Sequence, residues 1–170
     1  VENTKYPMAG MKSEQVTLGI FNVIERKTIF INTGEPKDQY LTSVTWDPSE
    51  KYIYIGVLNR EQNQLRLNKY DVVTGEFVYT LFEEKNDKWV EPEHAPYFVN
   101  ANQFIWMSER DGFMNLYLYS TEGELVKQIT TNKWVAQSIV GHDAAGNIYF
   151  IGTGESPLET NYFKVNITSG

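Results

Sequence analysis

The sequence predicts an all-β fold, a partial β-propeller with about two complete four-stranded antiparallel blades flanked by incomplete blades. Three observations carry this. Short apolar runs are separated by turn residues at intervals of roughly ten residues, with no amphipathic helical period. Several runs, such as Tyr52-Ile53-Tyr54-Ile55 and Asn147-Ile148-Tyr149-Phe150-Ile151, are apolar on both faces, which a sheet with one wet face does not tolerate. The runs also repeat in kind and order at an offset of about 50 residues, close to the length of a propeller blade.

Taken in order, Val16–Ile24 and Thr28–Ile31 form a pair of strands in an incomplete blade over residues 1–39. Tyr40–Trp46, Tyr52–Leu58, Gln64–Val72 and Phe77–Phe82 make a whole blade within 40–96. Gln103–Met107, Asn115–Ser120 and Leu125–Thr130 belong to a second whole blade within 97–132. Val135–Val140, Asn147–Ile151 and Asn161–Ile167 are the three strands of an incomplete blade over 133–170. All four segments form one domain. Asp47-Pro48-Ser49 has the composition of a type I turn, and Thr74-Gly75, Glu122-Gly123 and Gly146-Asn147 suit hairpin connections.

The repeat is visible residue by residue. Tyr52–Leu58 with Asn59-Arg60 aligns with Gln103–Met107 and the following Ser108-Glu109-Arg110. Asn68-Lys69-Tyr70-Asp71 aligns with Tyr117-Leu118-Tyr119-Ser120, and Thr74-Gly75-Glu76 with Glu122-Gly123-Glu124. A β-sandwich of similar strand count is the competing architecture, and the repeat favours the propeller.

Composition narrows the function. With 41% apolar and 14% aromatic residues the chain is globular, and its aromatic share leans towards strands. A net charge of −7 disfavours nucleic acid and anionic membrane surfaces as partners. No cysteine is present, which excludes disulfides, thiolate metal sites and cysteine nucleophiles. No run of about eighteen apolar residues spans a bilayer, and the polar residues Val1–Tyr6 do not read as a signal peptide.

Five segments carry a family likeness. They are Tyr6-Pro7-Met8-Ala9-Gly10, Val44-Thr45-Trp46, Leu58-Asn59-Arg60-Glu61-Gln62-Asn63, Trp89-Val90, and Phe104-Ile105-Trp106-Met107-Ser108-Glu109-Arg110-Asp111-Gly112. In order and spacing they resemble the N-terminal propeller of the dipeptidyl peptidase IV family of serine exopeptidases, over nearly the whole chain. The resemblance implies an eight-bladed propeller joined to a C-terminal α/β-hydrolase domain, which supplies Ser, Asp and His. The propeller gates access to a site that removes dipeptides from peptide N-termini. This chain then corresponds to a middle-to-late section of the propeller and is non-catalytic alone. Its partners are the hydrolase domain and a peptide substrate, and an exported bacterial protein of the periplasm or cell surface is expected. The alternative is a stand-alone propeller-like module that binds peptide or carbohydrate.

The residues themselves offer no catalytic centre. Gly154-Glu155-Ser156-Pro157-Leu158 lacks the final Gly and the helix of a nucleophile elbow, and reads as a loop. His142-Asp143 are adjacent on a strand, so their side chains diverge, and His94 falls in a connection. No cofactor or metal motif is found. Glu83-Glu84 mimics the paired Glu that holds a substrate ammonium in the family. That pair belongs to a helical insertion in an earlier blade, so Glu83-Glu84 reads as a solvated strand end. Arg60 and Arg110 recur at one blade position, which suits ties between a turn and the neighbouring blade.

In relatives the segment after Trp89 carries an aromatic residue and an Arg near the substrate's second side-chain pocket. Here Glu91 and Pro92 stand instead. Trp89 reads first as a core anchor, and Trp89 with Glu91 are the candidates for substrate contact. Trp46, Trp106, Tyr54, Tyr117 and Tyr149 read as packing between blades. A truncated ring exposes apolar faces and strand edges, so self-association of the chain is expected.

Overall fold

The computed structural model describes residues 10–169. Thirteen strands and no helix occur among them. A hairpin of β1 (Gly19–Asn22) and β2 (Lys27–Phe30) comes first. The first full blade is an antiparallel meander of β3 (Gln39–Trp46), β4 (Tyr52–Asn59), β5 (Gln64–Asp71) and β6 (Phe77–Lys85). The second is built the same way from β7 (Tyr97–Asn100), β8 (Gln103–Ser108), β9 (Asn115–Ser120) and β10 (Leu125–Gln128). A final three-stranded sheet holds β11 (Ala136–His142), β12 (Asn147–Gly152) and β13 (Asn161–Asn166). This is the partial propeller the sequence predicts.

Two elements differ from the sequence reading. The first apolar run forms a strand only over Gly19–Asn22. β7 coincides with none of the apolar runs, because it is four residues long and follows a proline-rich connection. The Tyr6–Ala9 part of the opening motif lies outside the described residues.

The core sits between the sheets. Along β8, Phe104 and Trp106 pack with Tyr54, Leu58, Leu65 and Leu67 of the first blade. Ile105 and Met107 point the other way and pack with Ile148 and Phe150 of the final sheet. The period of two along a strand thus divides one strand between two interfaces. β9 repeats the division, with Tyr117 and Tyr119 on one side and Leu116 and Leu118 on the other. On β4, Ile53 and Ile55 face Ile20 of β1 and Leu18 just before it. β12 departs from this rule. Ile148 and Phe150 are buried, whereas Tyr149 is 38% exposed, because no further sheet covers its face among the described residues. Trp46 is likewise 48% exposed on β3 and does not pack between blades.

The turns explain the repeat at the sequence level. Asp47 accepts the amides of Glu50 through its carbonyl (2.9 Å) and of Ser49 through its carboxylate (3.0 Å), as expected for the turn it opens. Between β5 and β6, the Asp71 carboxylate accepts the amides of Val73 (3.0 Å) and Thr74 (2.8 Å). Between β9 and β10, the Ser120 hydroxyl takes the same place and accepts Glu122 (3.3 Å) and Glu124 (3.1 Å). Each turn then brings a left-handed glycine against the outer strand of the preceding sheet. Gly75 (φ 74°) abuts Phe30, and Gly123 (φ 92°) abuts Leu81. A Cβ on Gly123 would lie 2.7 Å from both the Cα and carbonyl carbon of Leu81, and closer still to its oxygen. Glycine is therefore required twice over, by its φ and by the contact.

The same end of the blade junction carries a polar clamp. The Tyr79 and Tyr54 hydroxyls lie 3.1 and 3.4 Å from the carbonyl of Thr121. Burial and the Glu122 carboxylate 3.0 Å away push the Tyr79 hydroxyl up to about 12. Lys69 is buried beside them, with its ammonium 4.2 Å from the Tyr52 ring centroid and 5.3 Å from that of Tyr79. It also donates to the Tyr79 oxygen at 3.4 Å. The rings of Tyr52, Tyr54 and Tyr79 give the ammonium a cation–π environment.

Candidate functional site

At the opposite end of the same junction, the blades part to form a cleft of about 290 Å³. The end of β6, the 86–91 connection and the β8–β9 turn line it. Its floor is an ion pair between blades. Arg110 Nη2 donates to Glu84 Oε1, and the same oxygen accepts the Trp106 indole N–H at 3.1 Å. Arg110 also donates to the Tyr119 hydroxyl (2.7 Å) and the Ser108 hydroxyl (3.1 Å), and its guanidinium carbon lies 4.4 Å from the Tyr117 ring centroid. Burial opposes the charge on Arg110, but Glu84 and Tyr119 outweigh it and hold the group above its ordinary value. Burial likewise pushes the Tyr119 hydroxyl up, against the pull of Arg110.

Glu84 is thus not a solvated strand end. Its side chain is only 11% exposed, because Trp106 is buried and its N–H needs an acceptor, which the end of β6 supplies. Glu83 points the other way and pairs with Arg66 (2.8 Å) and Lys85 (2.7 Å) on the rim of its own sheet. These partners hold its carboxyl at about 2. Arg110 ties two blades together as the recurrence implies. Among the described residues Arg60 bonds the Tyr40 hydroxyl of its own blade and lies 3.8 Å from Asp38, in the segment just before β3.

The structure brings Trp89 and Glu91 together on the cleft wall. Trp89 is 58% exposed and does not anchor the core. Val90 does so instead, because its amide donates to Gln62 O at 2.7 Å while its side chain packs against the core. Neighbours on an extended segment diverge, so Trp89 turns outward. Facing it is Glu109, whose carboxyl is raised by burial and by the nearby Glu91 and Glu93 carboxylates. One end of the cleft is therefore electronegative, and its floor holds a fixed cation.

The histidines lie elsewhere. His142 Nδ1 is 3.0 Å from the Tyr97 hydroxyl, and Asp143 is occupied by Asn147 and Tyr149. His94 Nε2 is 3.8 Å from Glu93. Ser156 sits in the loop between β12 and β13. Asn166, the last residue of β13, accepts the Thr168 amide at 3.0 Å in the turn that follows and donates to Asn147 of β12 at 3.1 Å. Among the described residues no group of three His, Asp or Glu side chains can hold a metal ion.

The family profile described as dipeptidyl peptidase IV (DPP IV) N-terminal region matches residues 1–170. The chain belongs to this family. Its fold is similar to that of a putative dipeptidyl aminopeptidase IV from Bacteroides ovatus, with a TM-score of 0.92 and 34% identity over 99% of this chain and 27% of that one. It is also similar to dipeptidyl peptidase 4 of Porphyromonas gingivalis, with a TM-score of 0.85 and 26% identity over 98% of this chain and 24% of that one. Among curated sequences, a probable dipeptidyl-aminopeptidase B of Trichophyton verrucosum is 26% identical over 183 residues. That alignment takes in 98% of this chain and 20% of the relative. The chain thus spans about a fifth of the length of the curated relatives it matches.

Within this DPP IV N-terminal region, sequence reasoning reached Trp89 and Glu91 but not the pair beneath them. The signal for Glu84 was a tryptophan on a strand buried on both faces, which demands an acceptor. The signal for Glu109 was not in its own neighbourhood, since Glu91 and Glu93 reach it only through the fold.

Proposed function

We propose that this chain forms one wall of the substrate approach in a dipeptidyl peptidase. A C-terminal α/β-hydrolase domain of the parent chain supplies the Ser, Asp and His. The cleft at the blade junction carries this reading, because it holds an exposed indole beside carboxylates over a rigid ion-paired floor. An extended peptide finds there an aromatic surface for a side chain and negative charge for cationic groups. The family membership supports the peptidase, and the cleft supports the place of contact.

The test is steady-state hydrolysis of a Gly-Pro chromogenic amide by the full-length parent. Trp89→Ala and Glu91→Gln are expected to raise KM roughly three- to tenfold with kcat within about twofold, the signature of lost uniform binding. The 170-residue chain alone is expected to show no turnover. Unchanged KM in both variants would remove the cleft from the substrate path.

We propose in addition that the isolated chain self-associates. Phe21, Val23, Ile24 and Phe30 are exposed on the β1–β2 hairpin, as are Leu158 in the loop before β13 and Tyr162 on β13. Together they leave apolar surface at both flanks of the stack. Light scattering is expected to show a mass that grows with concentration. A monodisperse monomer at concentrations on the order of tens of micromolar would refute this.

A further inference from the structure

We propose that Asn59 is a positioning residue for the cleft, acting through the β4–β5 turn on the segment that carries Trp89 and Glu91. The proposal rests on the cleft being substrate-facing, and its test separates the two ideas. Asn59 is the last residue of β4 and is not part of the cleft wall. Its side chain instead organises the turn that follows. Oδ1 accepts the amides of Asn63 (3.0 Å) and Gln64 (2.9 Å). Nδ2 donates to Asn63 Oδ1 (2.8 Å) and Glu61 Oε2 (3.1 Å), and the Asn59 carbonyl accepts the Gln62 amide at 3.0 Å. Two backbone N–H groups point at Oδ1, so the orientation of the amide is dictated by its surroundings.

These bonds hold Gln62 in a left-handed conformation (φ 57°), which a residue with a Cβ rarely adopts. In that conformation the turn presents two carbonyls to the cleft segment. Gln62 O accepts the Val90 amide at 2.7 Å, and Asn63 O accepts the Asn86 amide at 3.0 Å. Pro92 O is held from the other side by the Thr42 hydroxyl at 3.3 Å. Val90 docks into the core from this tether, and Trp89 and Glu91 on either side of it are turned to the cleft. A single amide side chain therefore sets where the cleft wall stands. Asparagine suits the role because the turn needs an acceptor and a donor on one short planar group. Aspartate keeps the acceptor and loses the donor. Serine keeps a shorter acceptor. Alanine keeps neither.

The experiment is done on the full-length parent, with amide hydrogen exchange of segment 86–92 and steady-state kinetics on a Gly-Pro chromogenic amide. Asn59→Ala is expected to speed exchange across 86–92 and to raise KM roughly tenfold with kcat within about twofold. Asn59→Asp keeps the acceptor for both amides, and the exposed Glu61 can turn to solvent away from the new charge, so it is expected to rescue KM to within about threefold of the wild type. Asn59→Ser is expected to fall between them, and gives the same reading should the alanine variant fail to fold. Unchanged exchange at 86–92, or equal effects of Asp and Ala, overturns the proposal. Faster exchange with unchanged KM, in step with unchanged KM in Trp89→Ala, supports the positioning role and refutes the substrate reading. An altered KM in Trp89→Ala with no change in Asn59→Ala upholds the substrate reading and overturns the positioning role.

Discussion

Replacing Arg110 with alanine is expected to destabilise the blade junction by about 2–3 kcal/mol, less than the cost of stranding one member of a fully buried ion pair, because the Arg110 side chain is 30% exposed while Glu84 is nearly covered. The Glu84 carboxylate, 11% exposed, would lose its counter-charge while still tied to the Trp106 indole. Tyr119 and Ser108 would each lose a donor, and the Tyr117 ring would lose the cation over its face. The charge itself is the costly element, so removing both charges should be milder than removing one. Glu84→Gln with Arg110→Met keeps an acceptor for Trp106 and fills the guanidinium's space. It is expected to lose no more than roughly 1–2 kcal/mol. Urea unfolding followed by tryptophan fluorescence reads both variants at one chain concentration. A loss below about 1 kcal/mol for Arg110→Ala would mean that solvent already screens the pair. A double variant as unstable as the single one would mean that shape, not charge, sets the cost.

Gly123→Ala is expected to cost more than about 3 kcal/mol, and its damage to centre on β6 and β9. The methyl group would be driven into the backbone of Leu81, the bulged residue of β6, whose neighbours Thr80 and Phe82 pair with Asn68 and Leu67 of β5 and would be displaced with it. The left-handed φ of 92° adds its own penalty for a residue with a Cβ. Hydrogen exchange of the parent separates the two contributions. Collapse of protection in β6 together with β9 shows the backbone clash between blades. A uniform loss near 1 kcal/mol, roughly the conformational penalty alone, would show that the turn can back away from Leu81.

Much of this architecture was legible because blade packing leaves its mark on local pattern. Tyr52-Ile53-Tyr54-Ile55 reads as a strand covered on both faces, and Tyr54, Ile53 and Ile55 are buried in two different interfaces. The turn residues were legible for a similar reason, since Asp71 with Gly75 and Ser120 with Gly123 solve one geometric problem with local chemistry. β7 was hidden because four residues carry too little period to separate from a connection. The cleft was only half legible. Trp89 belongs to the Trp-Val pair that marks this stretch, and Glu91 follows directly after it. Its other wall comes from Arg110 and Glu109 of the next blade, and its orientation from Gln62 of a turn some thirty residues earlier. The reading of Trp89 as a core residue followed from its size. What decides its position is a hydrogen bond made by its neighbour, and no hydrophobicity pattern encodes that.

The division of β8 between two interfaces bears on how the strands keep their alignment. A slip of β8 by one residue would turn Phe104 and Trp106 towards the final sheet, and Ile105 and Met107 towards the first blade. Aromatic side chains would then meet a space shaped for aliphatic ones, and the reverse would happen on the other side. Both interfaces would be emptied by one displacement, and the Trp106 indole would leave Glu84. Resistance to sliding therefore resides in three stacked sheets at once. Each sheet is the template against which its neighbours find their register.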